Sequence, residues 1–193
     1  MSEKFVPVSL ADMAAYNEFH NASRSRAADY GFTNLWGWAE HYGLEWRFTE
    51  HLCWIRQTIP YERYWAPMGR WDKVDWAATG EFPSGRKFFR VPEKLRDMWQ
   101  EQLPVTLEVE EARGQWDYLY ASEELANLSG NKFHKKKNLL NQFIKKYPDH
   151  VYTPMTLDCV ESVLRMQEEW CHWYECKGSE ALLAENKAVF RVL

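Results

Sequence analysis

The chain has 193 residues, carries a net charge of −4 and is 46% hydrophobic and 27% charged. This composition is typical of a folded globular protein. It excludes a disordered chain and a protein that is basic enough as a whole to bind polyanions. The N-terminal residues show no secretory signal, and no segment approaches the roughly 20 apolar residues of a membrane span. We therefore expect a soluble, cytoplasmic protein without a transmembrane segment.

The first predicted elements are a short strand and two helices. Residues 5–8 form the strand, and Ser9 begins an S-x-x-D pattern that predicts a helix to about Ala22. Thr33 is placed to cap a second, short helix. Gly43 should end that helix, because glycine readily adopts the left-handed backbone conformation found just past a helix end.

A β-hairpin and a third strand are predicted next. Apolar and polar residues alternate over residues 44–48, and a second apolar run covers residues 52–55 after a short turn. Residues 63–66 are the following strand candidate. Residues 72–79 are a helix candidate that Gly80 should end.

Four more elements complete this part of the chain. Residues 88–91 are a strand candidate, and Pro92 lies at the first turn of a helix that runs to about Leu103. Alternation over residues 105–109 predicts another strand, and residues 116–120 one more. The order β-α-α-β-β-β-α-β-α-β-β predicts an α/β (α+β) domain with a mixed, largely antiparallel sheet and flanking helices. The sequence has no GxGxxG or GxxxxGK[ST] phosphate-binding pattern.

The pattern becomes helical from Ser122 onward. A basic helix runs to about Tyr147, where Pro148 ends it. A short strand at residues 151–153 and a long helix over residues 156–176 follow.

A last helix candidate covers residues 180–193. With the strand and the long helix before it, this helix repeats the opening of the chain, but the sheet that should follow is missing. We therefore predict one domain over residues 1–150, which includes the basic helix. The truncated, helical start of a second such domain should cover residues 151–193.

Aromatic residues reach 16% of the chain, with eleven tryptophans. Large rings at this density indicate either a core and surface built on aromatic packing or a ligand cleft with aromatic walls. Composition does not choose between the two.

The cysteines predict free thiols. They are Cys53, Cys159, Cys171 and Cys176. Because they show no CxxC spacing, we expect a reducing compartment and no disulfide framework. Glu168, His172 and Cys176 share one helix face and could begin a metal site, but a mixed polar helix surface explains them better, so no metal site is predicted.

The basic helix carries the strongest functional signal. At about 100° per residue, one arc of this helix is apolar and should be buried, and the opposite arc should be solvated. The apolar arc consists of Phe133, Leu140, Phe143, Ile144 and Tyr147, and the polar arc of Lys135, Asn138, Gln142 and Lys145. Lys136 falls inside the apolar arc. Its ammonium group either snorkels to water or points into a cleft to meet a phosphate, a carboxylate or a developing oxyanion.

Positive charge is concentrated at the N-terminal end of this helix. The residues concerned are Lys132, His134, Lys135, Lys136 and Lys137. Free N–H groups and the helix dipole also favour anions at such an end, so the segment is a candidate anion site. A purely solvated charge run is the alternative.

Two segments resemble the hallmarks of a known family. One is Phe32-Thr33-Asn34-Leu35-Trp36. The other is Asp117-Tyr118-Leu119-Tyr120, followed by Leu125, Leu128, Gly130, Lys132, His134, Lys135, Lys136, Lys137, Asn138 and Phe143. Over essentially the whole chain they resemble uncharacterised bacterial proteins related to the C-terminal domain of phosphatidylglycerol lysyltransferase, which are similar in turn to the Fem-type peptidoglycan aminoacyltransferases.

The resemblance implies two tandem domains of the Gcn5-related acetyltransferase fold. It also implies transfer of an acyl or aminoacyl group from aminoacyl-tRNA or acyl-CoA to an amine or to the hydroxyl group of an anionic lipid, with no cofactor required. Under this hypothesis Lys136 stabilises the oxyanion and Tyr120 acts as a general acid. The candidate donor-binding residues are Lys132, Lys135, Lys137, Asn138, Asn141 and Tyr118. Packing on the sheet is the alternative role of both tyrosines.

A second hypothesis is a non-catalytic binding module. A degenerate acyltransferase domain could hold tRNA, an anionic lipid or a protein partner, with the basic helix as its docking patch. Because the second domain is predicted to be truncated, we expect catalysis from the full-length protein and not from this chain alone. The sequence does not indicate an oligomeric state.

Overall fold

The computed structural model describes residues 4–23, 25–78, 82 and 85–193. The chain divides into two compact units. The first, here called the sheet unit, comprises Met1–Trp116 and Leu164–Leu193, and the second, here called the basic unit, comprises Asp117–Val163.

The structure combines seven described α-helices with one mixed sheet. The strands are β1 (Val6–Pro7), β2 (Leu44–Phe48), β3 (Leu52–Gln57), β4 (Arg63–Trp65), β5 (Met68–Gly69) and β6 (Phe88–Phe89). The helices are α1 (Met13–Ser23), α2 (Phe32–Tyr42), α3 (Glu93–Gln102), α4 (Ser122–Asn127), α5 (His134–Lys146), α6 (Val160–Trp173) and α7 (Glu180–Val192). The predicted mixed α/β class with a mostly antiparallel sheet and flanking helices is confirmed.

The sheet has the order β1-β2-β3-β4-β6, and β5 pairs with the free part of β3. Neighbouring strands are antiparallel except β4 and β6, which run parallel. The predicted hairpin is confirmed, because Trp46 of β2 pairs with Ile55 of β3 and Thr49 N–H donates to Leu52 O in the turn. Gly43 ends α2 in the left-handed conformation, as predicted.

The aromatic residues build most of the core of the sheet unit. Trp46 is fully buried, and its ring centroid lies 5.5 Å from that of Tyr16 and 5.2 Å from that of Phe48. On the other face of the sheet, Trp76 and Trp99 pack edge to face at 5.6 Å. Ring pairs of this kind stabilise beyond their area burial. The interpretation of the high aromatic content as core packing is therefore confirmed for these rings.

Buried hydroxyl groups connect α1 to the turn before α2 and to the sheet. Tyr16 OH donates to Tyr30 O at 2.7 Å, and Tyr30 OH donates to Arg90 O at 3.0 Å. The N–H of Ala66 donates in turn to Tyr30 OH at 3.0 Å. Burial raises the pKa of both phenols well above its usual range, so both stay protonated and act as donors.

Helix α7 packs on α2 through small residues. Gly37 faces Ala188, and a Cβ at Gly37 would lie 3.2 Å from the carbonyl oxygen of Ala188. At the rim, the guanidinium of Arg191 pairs with Glu40 and lies 3.8 Å from the ring centroid of Trp36. The absence of side-chain bulk at the centre of this contact is what allows the two helix backbones to approach closely.

Three predicted strands are wrong. Residues 105–109 and 151–153 have no regular structure, and residues 116–120 follow a 3-10 turn, Arg113–Gln115, as irregular chain. Alternating apolar residues predict a strand only where a sheet edge accepts the backbone hydrogen bonds. Within the described part of the chain the sheet ends at β6, so these segments have no partner.

Two helix predictions also need correction. Residues 72–79 do not form a helix over their described part; a 3-10 turn, Trp71–Lys73, and a short turn carry Trp76 into the core, and Thr79 lies outside the described residues. Thr33 does not cap α2. Gly31 holds the capping position, and no side-chain cap is formed there.

Cys171 and Cys176 form a disulfide, with 5.1 Å between their Cα atoms. The interpretation of all four cysteines as free thiols is therefore wrong for this pair, and it holds for Cys53 and Cys159. Glu175 after α6 has the left-handed conformation and begins the 3-10 turn Cys176–Gly178, which brings two thiols five residues apart into bonding distance. The bonded sulfur of Cys176 cannot serve as the third ligand of the weak metal pattern.

Replacing Gly69 with alanine is expected to lower the free energy of unfolding by about 2 kcal/mol or more. Gly69 has φ 142° in β5, and a Cβ there would collide with the backbone carbonyl oxygen of His51. The collision cannot be relieved without moving β5 away from β3. The measurement is urea unfolding followed by circular dichroism, with Gly114→Ala as the matched control. No heavy atom of the described chain lies within 4 Å of a Cβ at Gly114. Equal effects of the two substitutions would contradict the argument.

Candidate functional site

The basic unit concentrates positive charge in one stretch of chain. Six lysines and no acidic residue lie between residues 125 and 148. Gly130, at φ 86°, permits the turn that leads into the 3-10 turn Asn131–Phe133, and Phe133 is buried there. Helix α5 follows directly. The basic helix and its approximate bounds are thus confirmed.

The apolar arc of α5 is not buried. Leu140, Phe143 and Ile144 are each 45% exposed and Tyr147 is 48% exposed, so only Phe133 meets the expectation. The described part of the basic unit contains helices and turns but no strand that could cover this arc. The expectation that Lys136 lies on a buried stripe is wrong for the same reason, because Lys136 is exposed.

The structure brings Lys136 and Tyr120 together. The ammonium nitrogen of Lys136 lies 5.7 Å from the centroid of the Tyr120 ring, within the range of a cation–π contact. Tyr120 is 44% exposed, whereas Tyr118 is 85% exposed and faces solvent. The candidate catalytic pair is therefore adjacent, and the tyrosine ring reinforces the position of the ammonium group.

The other lysines at the start of α5 differ in whether they form an ion pair. The ammonium group of Lys132 pairs with Glu124 Oε1 at 2.7 Å, which ties the turn before α5 to α4. Within the part of the chain that the structure describes, Lys135 and Lys137 form no ion pair and are exposed. Their charges are thus available to an incoming anion.

Asn138 and Asn141 are also exposed on α5. Neither side chain has a hydrogen-bond partner among residues 117–163. Their amide groups can therefore donate to a ligand without first breaking a bond inside the basic unit. The donor-binding roles of these residues stay predictions.

One concavity of the basic unit lies at the C-terminal end of α5. Its lining residues are Phe143, Lys146, Tyr147, Pro148, Asp149 and His150. The rings of Phe143 and His150 lie 5.0 Å apart, and Nδ1 of His150 is 2.7 Å from Tyr147 O. Sequence reasoning missed Lys146 and His150. The turn that Pro148 imposes after the helix is the only local signal that could have indicated them.

The described residues contain no cluster of three or more His, Cys, Asp or Glu side chains arranged to hold a metal ion.

No helix among the described segments has the length and apolar character needed to cross a bilayer.

Comparison with known proteins identifies the family. The family described as "Phosphatidylglycerol lysyltransferase, C-terminal" matches residues 21–193. A crystal structure of a conserved protein of unknown function from Bacteroides thetaiotaomicron VPI-5482 is similar, with 28% sequence identity and a TM-score of 0.81. The similarity covers 97% of this chain and 66% of that chain. No curated protein matches. Because the family match spans nearly all of the sequence, the chain belongs to the family of the phosphatidylglycerol lysyltransferase C-terminal domain.

Proposed function

We propose that this protein transfers an aminoacyl group to the hydroxyl group of an anionic lipid, with aminoacyl-tRNA as the donor. The match of residues 21–193 to the phosphatidylglycerol lysyltransferase C-terminal family carries the proposal. The basic unit adds support, since both partners of such a reaction are phosphate-bearing and Lys135, Lys136 and Lys137 are exposed beside each other.

An aminoacyl ester is already activated, so the protein needs only to position the two substrates, stabilise the oxyanion and transfer a proton. The lipid hydroxyl oxygen attacks the ester carbonyl carbon, and negative charge develops on the carbonyl oxygen. Lys136 stabilises that oxyanion, and Asn138 and Asn141, on other sides of α5, donate hydrogen bonds to the donor. The ester C–O bond to the tRNA ribose then breaks. The Tyr120 hydroxyl gives its proton to the leaving ribose oxygen, and the proton released by the lipid hydroxyl passes through solvent to the resulting phenolate of Tyr120, which is 44% exposed.

In this proposal the other lysines bind the phosphates of the tRNA donor. Lys132, Lys135 and Lys137 contact the donor backbone, and Tyr118 lines the donor site. Such contacts position a nucleic acid without reading its sequence, and they weaken as salt rises.

The proposal includes two tandem domains of the Gcn5-related acetyltransferase fold. The first covers residues 1–150 and the second begins at residue 151. The mostly antiparallel sheet with flanking helices is consistent with the first domain. The similar crystal structure, of which this chain covers 66%, is long enough for a larger second part.

The test is transfer of label from [14C]lysyl-tRNA to phosphatidylglycerol vesicles by the purified full-length protein, followed by lipid extraction. We expect label in the lipid fraction, and none with phosphatidylcholine vesicles or with free [14C]lysine. Transfer from a labelled acyl-CoA in place of lysyl-tRNA would assign the other donor class.

A non-catalytic binding module is the second candidate. The exposure of Lys135, Lys136 and Lys137 favours it, because these three charges lie on open surface and do not line the concavity at the C-terminal end of α5. Saturable, salt-sensitive binding of lysyl-tRNA or of phosphatidylglycerol vesicles without any label transfer would support this candidate over the transferase.

A further inference from the structure

A second concavity lies within the sheet unit, far along the sequence from the basic helix. It encloses about 160 Å³ between α2, the 3-10 turn Ala28–Tyr30 and the ends of β4 and β6. Its lining residues are Asp29, Asn34, Trp38, Tyr42, Trp65 and Arg90. A volume of this size is smaller than a drug-sized binding pocket and fits a single ring system.

The walls of this pocket are aromatic. Asn34, Trp38 and Tyr42 are four residues apart, so they share one face of α2. The rings of Trp38 and Tyr42 lie 5.6 Å apart with 25° between their planes, and Tyr42 meets Trp65 at 6.5 Å. The pocket therefore offers π surfaces, which favour a flat ligand.

The ion pair between Asp29 and Arg90 lies at the polar end of the pocket. Nη1 of Arg90 lies 2.9 Å from Oδ1 of Asp29, and its guanidinium carbon lies 4.2 Å from the ring centroid of Trp65. Nε of Arg90 donates to Gln115 at 2.9 Å. The backbone of Arg90 has φ 58°, a left-handed conformation that is uncommon for a residue with a side chain. The hydrogen bond from Tyr30 OH to Arg90 O holds it there.

The pairing of Asp29 with Arg90 disfavours a charged ligand at this end. A cation would compete with Arg90 for the carboxylate of Asp29. An anion bound to Arg90 would lie beside the carboxylate of Asp29, which repels it. A purely apolar ligand would displace the water bound to these polar groups and offer no hydrogen bonds in its place, which is costly.

A neutral ring with a hydrogen-bonding edge avoids all three costs. Asn34 donates its amide N–H to Ala28 O at 2.7 Å, and its amide oxygen has no donor among residues 4–23, 25–78, 82 and 85–193. The amide of Asn34 thus offers an acceptor, and the guanidinium of Arg90 offers donors. A nucleobase carries both donors and acceptors on its edge and can pair with both groups. We propose that this pocket binds a single nucleobase, stacked on its aromatic wall.

The proposal is independent of the transfer reaction, and it is tested by titrating the purified chain with adenosine. Indole N–H signals in a ¹⁵N-labelled sample should move saturably for Trp38 and Trp65. Ribose, which has the same sugar and no base, should move neither signal. Trp38→Leu should weaken adenosine affinity by about ten-fold or more, since stacking on one aromatic ring contributes that much per base.

Trp173→Leu is the matched control, because Trp173 is 74% exposed and does not line the pocket. This variant should bind adenosine like the unaltered chain. If Trp38→Leu does not fold by circular dichroism, Asn34→Ala takes its place, with an expected loss of about five-fold for one hydrogen bond. Three results would overturn the proposal: no saturable shift with adenosine, equal affinities of the pocket and control variants, or tighter binding of lysinamide or inorganic phosphate at the same indoles.

Discussion

Trp46→Ala is expected to lower the free energy of unfolding by on the order of 3–5 kcal/mol, because a fully buried tryptophan leaves a cavity that its neighbours cannot fill. Trp46 lies at the centre of β2 and packs against Tyr16, Phe32 and Phe48. All three neighbours are large rings held by separate elements, so the site has little freedom to collapse. Urea unfolding followed by circular dichroism measures the loss without interference from the other ten tryptophans.

Two further variants separate ring volume from other effects of this substitution. Trp46→Phe retains most of the ring and removes an indole N–H that has no acceptor in the described structure, so it should cost clearly less than the alanine variant. Trp173→Ala removes a ring that is 74% exposed and should change stability by less than about 0.5 kcal/mol. A loss below about 1 kcal/mol for Trp46→Ala would show that this ring does not support the core.

Local signals predicted the parts of the fold that depend on local physics. The hairpin of β2 and β3 follows from alternation over residues 44–48, and the end of α2 follows from Gly43. The end of α5 follows from Pro148, which comes shortly after it. Each of these features is decided by residues that are neighbours in sequence.

The wrong or missed strands share one cause. Whether a segment forms a strand depends on a pairing partner that is distant in sequence. Residues 105–109 alternate correctly but find no strand to pair with in the described chain. Strand β5 went unpredicted because two residues, Met68 and Gly69, carry no periodicity, and their pairing with Leu52 and Cys53 defines the strand.

The same limit applies to the candidate sites. The contact between Lys136 and Tyr120 spans only sixteen residues, and the family resemblance implied that both belong to one site. The Asp29–Arg90 pair spans sixty-one residues, and it exists only because β4 and β6 run in parallel beside the turn that holds Asp29. The aromatic content left open both a core built on rings and a cleft with aromatic walls, and it could not indicate where such a cleft would lie.

Lys136→Ala is expected to reduce the rate of label transfer from lysyl-tRNA by about 100- to 1,000-fold, the usual effect of removing one group that stabilises a developing oxyanion. The exposed ammonium group beside the Tyr120 ring is the cation that the proposed mechanism requires at the ester carbonyl. The measurement is the initial rate at saturating lysyl-tRNA and phosphatidylglycerol, so that weaker binding does not contribute to the loss. Binding of lysyl-tRNA, followed by its stabilisation of the protein against heat, is measured in parallel.

Lys145→Ala is the matched control for this prediction. Lys145 is exposed on the same helix, but nine residues at about 100° each place it on the opposite side from Lys136. If the lysines act only as a diffuse attraction for phosphate, the two variants will lose tRNA affinity equally, and both losses will shrink as salt rises. A rate loss confined to Lys136→Ala, at unchanged salt dependence of binding, requires a specific position for this one charge. That is the difference between a catalytic cation and a docking patch, and equal rates for the two variants would remove Lys136 from the mechanism.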